Sequence, residues 1–440
     1  MSENQPHVLL IAIDTLRADH LSCYGYKVKT SPFIDKIASE GAIFEYAYAP
    51  AIPTHPGYTT MLTGVHPLHH KIVCHAGSIF LSKNIPLVSE LLKRKGYITA
   101  AVDNLAIMKG GEWFIRGYDY YFATGGIVVI SKGIKISGEI VLKKTLEFLD
   151  MWSSKLKDKK FFLFVHFWDP HAPYYPPEDL VEKIFKGDPS QGDLKERVEK
   201  TVWGKHLLKG WLGKLIEKGF RNPDYIEALY DAEILYTDNK VKKICEKLEE
   251  LGILDDTIII ITADHGESMG EHNIFYDHHG LYEWDVRIPL IIRYPEKVPK
   301  GTKVKAFVQH TDIVPTILDV VSCSFGEHIY GKSLIRLIEG EWSGYDKVLL
   351  MENTRMTKRA IRTERWKLIE TLRPDPYDRP AGYLELFDLK KDPLEQNNLA
   401  YEDRDTALRL LGELEEAWRK LLKGTEDPLL TQEISLPIPE

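Results

Sequence analysis

Several apolar segments of the chain are followed by side chains that could bind a metal ion. The acidic and imidazole residues concerned are Asp14, Asp169, His171, Asp264 and His265. Carboxylate oxygens and imidazole nitrogens are the donors that proteins offer to Zn²⁺, Mn²⁺, Mg²⁺ or Ca²⁺, depending on the mixture. One such Asp alone is more often a helix N-cap than a metal ligand. Three segment ends of this kind at one sheet edge favour a metal site, because α/β sheets bind ligands at the carboxyl ends of their strands.

A hydroxyl residue forms a second candidate feature. Thr54 lies just before Pro56-Gly57 and opens an apolar, helix-like stretch that runs to Gly64. The start of a helix favours anions, because its backbone N–H groups are free and its dipole is positive there. Taken alone, a residue of this type is more often a simple N-cap.

The elements that must position these residues alternate between strands and helices. The predicted strands are Val8–Ile13, Ile98–Val102, Phe161–Phe167, Thr257–Thr262 and Pro289–Arg293. The predicted helices are Pro32–Glu40, Leu87–Arg94 and Asp224–Leu251. This alternation predicts an α/β fold with a mainly parallel central sheet flanked by helices on both sides.

The last part of the chain has a different pattern. From about Tyr345 onward short strand-like segments follow one another closely, and a helix-period segment, Asp405–Leu422, comes after them. We therefore predict a catalytic domain over residues 1–344, with 185–220 as an insertion at the active-site rim. Residues 345–440 are predicted to form a smaller antiparallel-sheet subdomain with a helix and a tail.

Composition excludes several classes of protein. Of the residues, 44% are hydrophobic and 28% charged, as in ordinary globular chains, and the formal net charge is −8 without a basic stripe. We expect no membrane span and no nucleic-acid scaffold as partner. The start of the chain has no secretory pattern and the four cysteines are scattered, which favours the cytoplasm. A homo-oligomer is left open.

Motifs in a fixed order along most of the chain carry a family resemblance. They are Ile13-Asp14-Thr15-Leu16-Arg17, Thr54–Gly64, Phe167–Tyr174, Asp264-His265-Gly266-Glu267, His278–Glu283, His310–Thr316 and Leu386–Leu399. Together they resemble the sulfatase family of the alkaline phosphatase superfamily, which implies an alkaline phosphatase-like fold.

The resemblance also implies roles for single residues. Asp14, Asp264 and His265 would hold one divalent metal, with Thr54 beside it as metal-bound nucleophile. His171 and His279 would face the anionic group of a small-molecule ester substrate. In two-metal members of the superfamily, residues at the positions of Asp169, His171 and His279 hold a second ion instead.

One position departs from the family. Sulfatases oxidise a Cys or Ser to formylglycine, and Thr54 cannot form that aldehyde because its Cβ carries a methyl group. Thr54–Gly64 also resembles the nucleophile segment of nucleotide pyrophosphatase/phosphodiesterases. We therefore predict a phosphodiesterase or a phosphonate/phosphate ester hydrolase that uses Thr54 as covalent nucleophile. The alternatives are a sulfuric ester hydrolase of arylsulfatase type without formylglycine, a phosphoryl transferase and a non-catalytic binding protein.

Two further details concern the site. Thr15 stands where family members often have a second acidic residue, which favours Zn or Mn over Ca or Mg. His66, His69, His70 and His75 follow the nucleophile segment and are expected to be packing or surface histidines, with a substrate role left open. Trp152, Trp168, Trp203 and Trp211 are expected in the core or around an aromatic pocket.

Overall fold

The computed structural model describes residues 5–124, 137–324, 329–353 and 355–432. The strands are β1 His7–Ile13, β2 Ala42–Tyr48, β3 Ala51–Ile52, β4 Ile98–Asp103, β5 Tyr120–Ala123, β6 Phe161–Phe167, β7 Thr257–Thr262, β8 Ser268–Met269, β9 Phe275–Asp277, β10 Arg287–Ile288, β11 Leu290–Arg293, β12 Thr302–Gln309, β13 Lys347–Asn353, β14 Thr357–Thr363, β15 Trp366–Thr371 and β16 Leu384–Asp388.

Helices connect most of these strands. They are α1 Pro32–Ser39, α2 Thr54–Thr63, α3 Pro67–His70, α4 Val88–Arg94, α5 Gly138–Lys155, α6 Glu178–Ile184, α7 Leu194–Glu199, α8 Gly204–Lys209, α9 Trp211–Glu217, α10 Pro223–Glu250, α11 Glu283–Val286, α12 Ile313–Val320, α13 Leu334–Ile338, α14 Arg404–Leu422 and α15 Pro428–Thr431.

The central sheet has the order β12-β2-β11-β7-β1-β6-β4-β5, and the short β10 also pairs with β2. The pairs from β7 through β1, β6 and β4 to β5 are parallel, and β11 is antiparallel to both neighbours. The predicted α/β fold with a mainly parallel sheet is confirmed. The predicted strand Pro289–Arg293 forms as β11, but it is antiparallel to both of its neighbours.

The innermost strands are buried along their whole length. Every residue of β1, β6 and β7 is buried, so both faces of the sheet are covered. Val, Ile and Phe in these runs suit a pleated strand that is packed on two sides. Helix α10 packs against α1, α5 and α6, and α2 packs against α3, α4 and α12. The parallel strands therefore end together at one edge, where the site is found.

A second sheet has the order β16-β15-β14-β13-β3, and α14 packs on β14 and β15. β13 to β16 pair antiparallel, as predicted for the C-terminal part, whereas β3 joins in parallel from residues 51–52. β3 ends two residues before Thr54, so this sheet borders the nucleophile helix. The predicted boundary at 344/345 and the insertion over 185–220 stay predictions; α7, α8 and α9 lie within that stretch.

The four cysteines, Cys23, Cys74, Cys245 and Cys323, are free thiols. None of the helices in the described part of the chain is both long and apolar enough to cross a membrane.

Candidate active site

Asp14, Asp264 and His265 meet at the carboxyl edge of the central sheet. Asp14 follows β1, and the other two follow the neighbouring parallel strand β7, which aligns Ala12 with Thr262. One ligand atom from each of the three side chains lies within 4.8 Å of the others, and all three residues are buried. The distance from His265 Nε2 to Asp264 Oδ2 is 3.2 Å. Two carboxylates and an imidazole at these distances are a donor set for one divalent ion.

The electrostatics of the three side chains fit a cation. Burial acts to raise the pKa of Asp14, but the hydrogen bond to His166 and nearby histidines lower it to about 2. Burial and the Asp14 charge raise the pKa of Asp264 well above its usual range. Within the described residues, Asp14 Oδ1 and Asp264 Oδ2 are buried without a hydrogen-bond partner. Two adjacent buried carboxylates with such oxygens are stabilised by a positive ion.

His265 presents the nitrogen that a metal needs. Its Nδ1 lies 2.9 Å from the carbonyl oxygen of Gly266, which can only accept, so Nδ1 carries the hydrogen. Burial lowers the pKa of His265 to about 3, so the ring is neutral. Nε2 therefore keeps a free lone pair on the side of Asp264.

The second sheet, through its strand β3, places Thr54 next to these three side chains. Thr54 is the first residue of α2, two residues after the end of β3, and its Oγ1 lies 3.5 Å from His265 Nε2. Gly57 lets the helix approach, because a Cβ at this position would lie 2.9 Å from the Asp264 carbonyl oxygen and 3.3 Å from Asp264 Cβ. The hydroxyl and the three predicted metal ligands thus form one cluster.

A cavity of about 280 Å³ opens from Thr54. Its titratable lining residues, besides Thr54, are His75, His171, His206, Asp277, His278, His279 and Arg355. Its aromatic lining residues are Trp168, Trp203, Trp211 and Tyr276. The predicted substrate-facing histidines His171 and His279 both line this cavity, which offers imidazole and guanidinium groups to an anionic ester.

His279 is held as a cation on the cavity wall. Its Nε2 lies 3.0 Å from Asp277 Oδ2, and its Nδ1 lies 3.5 Å from Glu352 Oε1. Burial acts to lower its pKa, but the charge of Asp277 and the close contacts with both carboxylates raise it to about 9. Glu352 also accepts a hydrogen bond from the Gly280 backbone N–H at 2.8 Å. The second sheet therefore fixes the loop that carries His279.

Arg355 adds a second cation from the C-terminal part of the chain. Its Nη1 lies 3.0 Å from Asp277 Oδ2, and its guanidinium carbon lies 4.5 Å from the centre of the Trp203 ring. Burial acts to raise the pKa of Asp277, but Arg355 and His279 lower it well below its usual range. Asp277 is thus a carboxylate that orients two cations towards one cavity.

The structure does not bring Asp169 into a second metal site with His171 and His279. Its Oδ2 accepts a hydrogen bond from the Gly138 backbone N–H at 2.9 Å, at the start of α5. His171 Nδ1 lies 2.6 Å from the Ala172 carbonyl oxygen. Among the described residues these three side chains do not form a group with metal-ligand distances. Asp169 instead contributes to the N-terminus of a helix, where a carboxylate is favourable.

The predicted histidine cluster is divided. His75 lines the cavity, with its ring 4.1 Å from the His55 ring. His70 is buried, with its Nε2 3.0 Å from Thr60 Oγ1, whereas His69 is half-buried, with its Nε2 2.7 Å from the Leu421 carbonyl oxygen. Of the four tryptophans, Trp152 packs against Phe161 in the core, and the other three line the cavity.

Residues that the sequence analysis did not select also reach the site. They are Asp103, His166, Glu267, Asp277, Glu352 and Arg355. His166 Nε2 lies 3.4 Å from Asp14 Oδ2, and its Nδ1 lies 2.7 Å from Asp103 Oδ1. The available signal was a histidine inside the otherwise apolar run Phe161–Phe167, but its meaning depends on the order of strands in the sheet. Glu352 and Arg355 depend on contacts between sheets, which no local pattern reveals.

Comparison with known proteins places the chain in a family. The sequence profile described as "Sulfatase" matches residues 6–322, and one described as "N-sulphoglucosamine sulphohydrolase, C-terminal" matches residues 270–423. The chain belongs to the sulfatase family. This sulfatase family protein is 27% identical to an arylsulfatase of Clostridium perfringens, over 96% of this chain and 98% of that one.

Solved structures share its fold. One, described as a complex with its substrate D-glucosamine-2-N,6-O-disulfate, has a TM-score of 0.79 at 22% identity and covers 96% of this chain and 99% of that one. A phosphonate monoester hydrolase of Agrobacterium radiobacter has a TM-score of 0.74 at 23% identity, covering 98% of this chain and all of that one (100%). The expected family and fold are confirmed, and the sulfatase family protein is a metal-dependent ester hydrolase.

Proposed function

We propose that this sulfatase family protein hydrolyses small anionic esters with Thr54 as nucleophile, and that sulfate esters are the first candidate substrates. One observation carries the proposal: Thr54 Oγ1 lies 3.5 Å from the Nε2 atom of His265, which forms a potential metal-binding group with Asp14 and Asp264. A hydroxyl in that position can attack an ester bound in the adjoining cavity.

The preference for sulfate differs from the ranking drawn from the sequence. The similar arylsulfatase and the matching family profiles are named for sulfate esters, whereas a phosphodiesterase finds no specific support among them. The cavity is suited to either ester, since the imidazole of His171 and the two cations, His279 and Arg355, line it, and the cations attract an anion.

Hydrolysis needs two displacements at the same sulfur atom. A divalent ion bound by Asp14, Asp264 and His265 would lower the pKa of the Thr54 hydroxyl and polarise the ester. Thr54 Oγ1 loses its proton to solvent and forms a bond to sulfur, while the bond from sulfur to the leaving oxygen breaks. The leaving oxygen takes a proton from solvent and departs as the alcohol. Water then attacks the sulfur of the Thr54 ester, which releases sulfate and restores the hydroxyl with its proton.

The second displacement makes phosphonate esters the second candidate. A formylglycine diol expels sulfate by re-forming its aldehyde, but Thr54 has no second oxygen on Cβ, so water must attack directly. Phosphorus in a Thr ester accepts that attack through ordinary two-step phosphoryl transfer. The solved phosphonate monoester hydrolase with the same fold supports this candidate.

The metal is proposed to be Mn²⁺ or Zn²⁺, with Ca²⁺ or Mg²⁺ as alternatives. Thr15 is buried, and in the described structure its Oγ1 has no hydrogen-bond partner. It adds no charge beside Asp14, which leaves two carboxylates and one imidazole, a set that is poor in oxygen for Ca²⁺. The cytoplasm is proposed as the compartment because all four cysteines are free thiols.

The test is a side-by-side assay of purified protein loaded with each of the four metals. The substrates are the 4-nitrophenyl sulfate, phosphate, phenylphosphonate and a 4-nitrophenyl phosphodiester. We expect the sulfate ester to be hydrolysed fastest of the four substrates. We expect Thr54→Ala to lower kcat by at least about 10³-fold. Thr63→Ala is the matched control on the same helix, because Thr63 Oγ1 donates to the Thr59 carbonyl oxygen inside α2.

The outcomes separate the candidates. Faster turnover of the phosphonate than the sulfate makes the protein a phosphonate ester hydrolase, and transfer to added glycerol in place of water makes it a transferase. Full activity of Thr54→Ala would refute the nucleophile. Binding of the esters without turnover by the metal-loaded protein would mark a non-catalytic binding protein.

A further inference from the structure

We propose that His166 and Asp103 are positioning residues for the metal centre, and that they set its affinity by holding Asp14 through a hydrogen-bonded row across the sheet. This inference rests on the proposed metal ligands Asp14, Asp264 and His265. It is independent of the nature of the ester and of the role of Thr54.

The row follows the order of the strands. Adjacent strands β1, β6, β4 and β5 provide Asp14, His166, Asp103 and Tyr121 in turn. The distances along it are 3.4 Å from Asp14 Oδ2 to His166 Nε2, 2.7 Å from His166 Nδ1 to Asp103 Oδ1, and 2.5 Å from Asp103 Oδ2 to Tyr121 Oη. Each residue thus holds the next.

The row contacts only one of the two carboxylate oxygens of Asp14. Asp14 Oδ2 accepts from His166, which leaves Oδ1 buried and without a hydrogen-bond partner in the described structure. One carboxylate oxygen is therefore tied to the sheet, and the other is left for the metal. The tie restricts rotation about the Asp14 side chain, so the ligand need not be ordered when the ion binds.

The ring of His166 is itself fixed. Its side chain is fully buried, and both ring nitrogens face carboxylate oxygens, which only accept hydrogen bonds. The Leu105 backbone N–H donates to Asp103 Oδ2 at 3.0 Å, which anchors the far end of the row. None of the four residues of the row lines the cavity, although the His166 ring lies 4.8 Å from the ring of Trp168, which does. The hydrogen bonds of the row reach the metal group through Asp14.

The experiment measures metal binding without any substrate. Protein stripped with chelator is titrated with Mn²⁺ in a calorimeter, for the wild type and for His166→Gln and Asp103→Asn. We expect a dissociation constant about 10- to 100-fold weaker in both variants, the usual effect of losing a partner of a metal ligand. Tyr121→Phe, which removes only the outermost hydroxyl, is expected to weaken binding less than the other two and serves if they do not fold.

The control is His20→Gln. His20 Nδ1 pairs with Asp231 Oδ1 at 2.7 Å, and both residues are buried, but neither contacts the three metal ligands. We expect it to lower the melting temperature of the stripped protein and leave Mn²⁺ affinity unchanged. Folded His166→Gln or Asp103→Asn protein with an affinity within threefold of the wild type would overturn the proposal. A wild type that binds no Mn²⁺ would instead contradict the metal centre itself.

Discussion

Gly57→Ala tests how closely the nucleophile helix must approach the metal group. The added Cβ would lie 2.9 Å from the Asp264 carbonyl oxygen and 3.3 Å from Asp264 Cβ. Because carbon and oxygen need more room than that, α2 or the segment after β7 must move by several tenths of an ångström. Both carry site residues, so the distance between Thr54 Oγ1 and the metal ligands changes directly.

The size of the effect follows from that shift. A displacement of about 1 Å can cost about 10²-fold in rate, so about half of that is expected to lower kcat/KM by about 10-fold. Overpacking costs about 1–3 kcal/mol of folding free energy, which the better helix propensity of Ala offsets by about 1 kcal/mol. Stability should therefore fall by at most about 2 kcal/mol, too little to explain the loss of rate by unfolding.

The assay compares kcat/KM on the fastest 4-nitrophenyl ester with urea unfolding of the same samples. Gly412→Ala is the matched control, because Gly412 lies inside α14 and a Cβ there meets nothing within 4 Å. It should stabilise the protein by about 0.5–1 kcal/mol and leave kcat/KM unchanged. A Gly57→Ala enzyme with wild-type kcat/KM would refute the close approach of α2 as a requirement for activity.

Two other predictions concern buried charged groups. Because the pKa of His279 is raised to about 9, its charge is present at neutral pH and is lost as pH rises through that value. We therefore expect kcat/KM to fall above about pH 9. If a His279→Gln enzyme shows the same fall at alkaline pH, the imidazolium of His279 is not its cause. Lys358 Nζ is buried 3.0 Å from a carboxylate oxygen of Glu385 and 3.4 Å from one of Asp375. Lys358→Met should therefore lower the free energy of unfolding, measured by urea titration, by about 3–5 kcal/mol, because it leaves buried carboxylates without their cation. The control is Lys420→Met, which removes an exposed pair with Glu416 and should leave the free energy of unfolding unchanged.

The elements predictable from the sequence were those with a strong local pattern. The β-branched run Thr257–Thr262 forms the strand it predicts, and Asp224–Leu251 differs from α10 by one residue at each end. Strand β2, with alanines, a glutamate and tyrosines, has no such pattern and was not predicted, yet it pairs with three other strands. The antiparallel direction of β11 is likewise a property of the tertiary fold.

In the candidate site too, the residues that follow a predicted strand could be predicted, and those that depend on tertiary packing could not. Asp14, Asp264 and His265 stand at strand ends, so strand prediction alone brings them to one edge. Asp169 also follows a strand, but whether its carboxylate faces the site or the start of α5 depends on the packing of that helix. The row through His166 needs the order of four strands, and sequence distance gives no information on that order.

In the proposed metal centre, Thr54 and three ligands from distant segments surround one divalent ion. A crystal structure of the protein with Mn²⁺, with the ion located by its anomalous scattering, tests it most directly. We expect one peak within bonding distance of Asp14, Asp264 and His265 Nε2, with Thr54 Oγ1 in contact with it. A peak elsewhere, or a Thr54 hydroxyl turned away from an ion bound there, would refute the proposed metal centre.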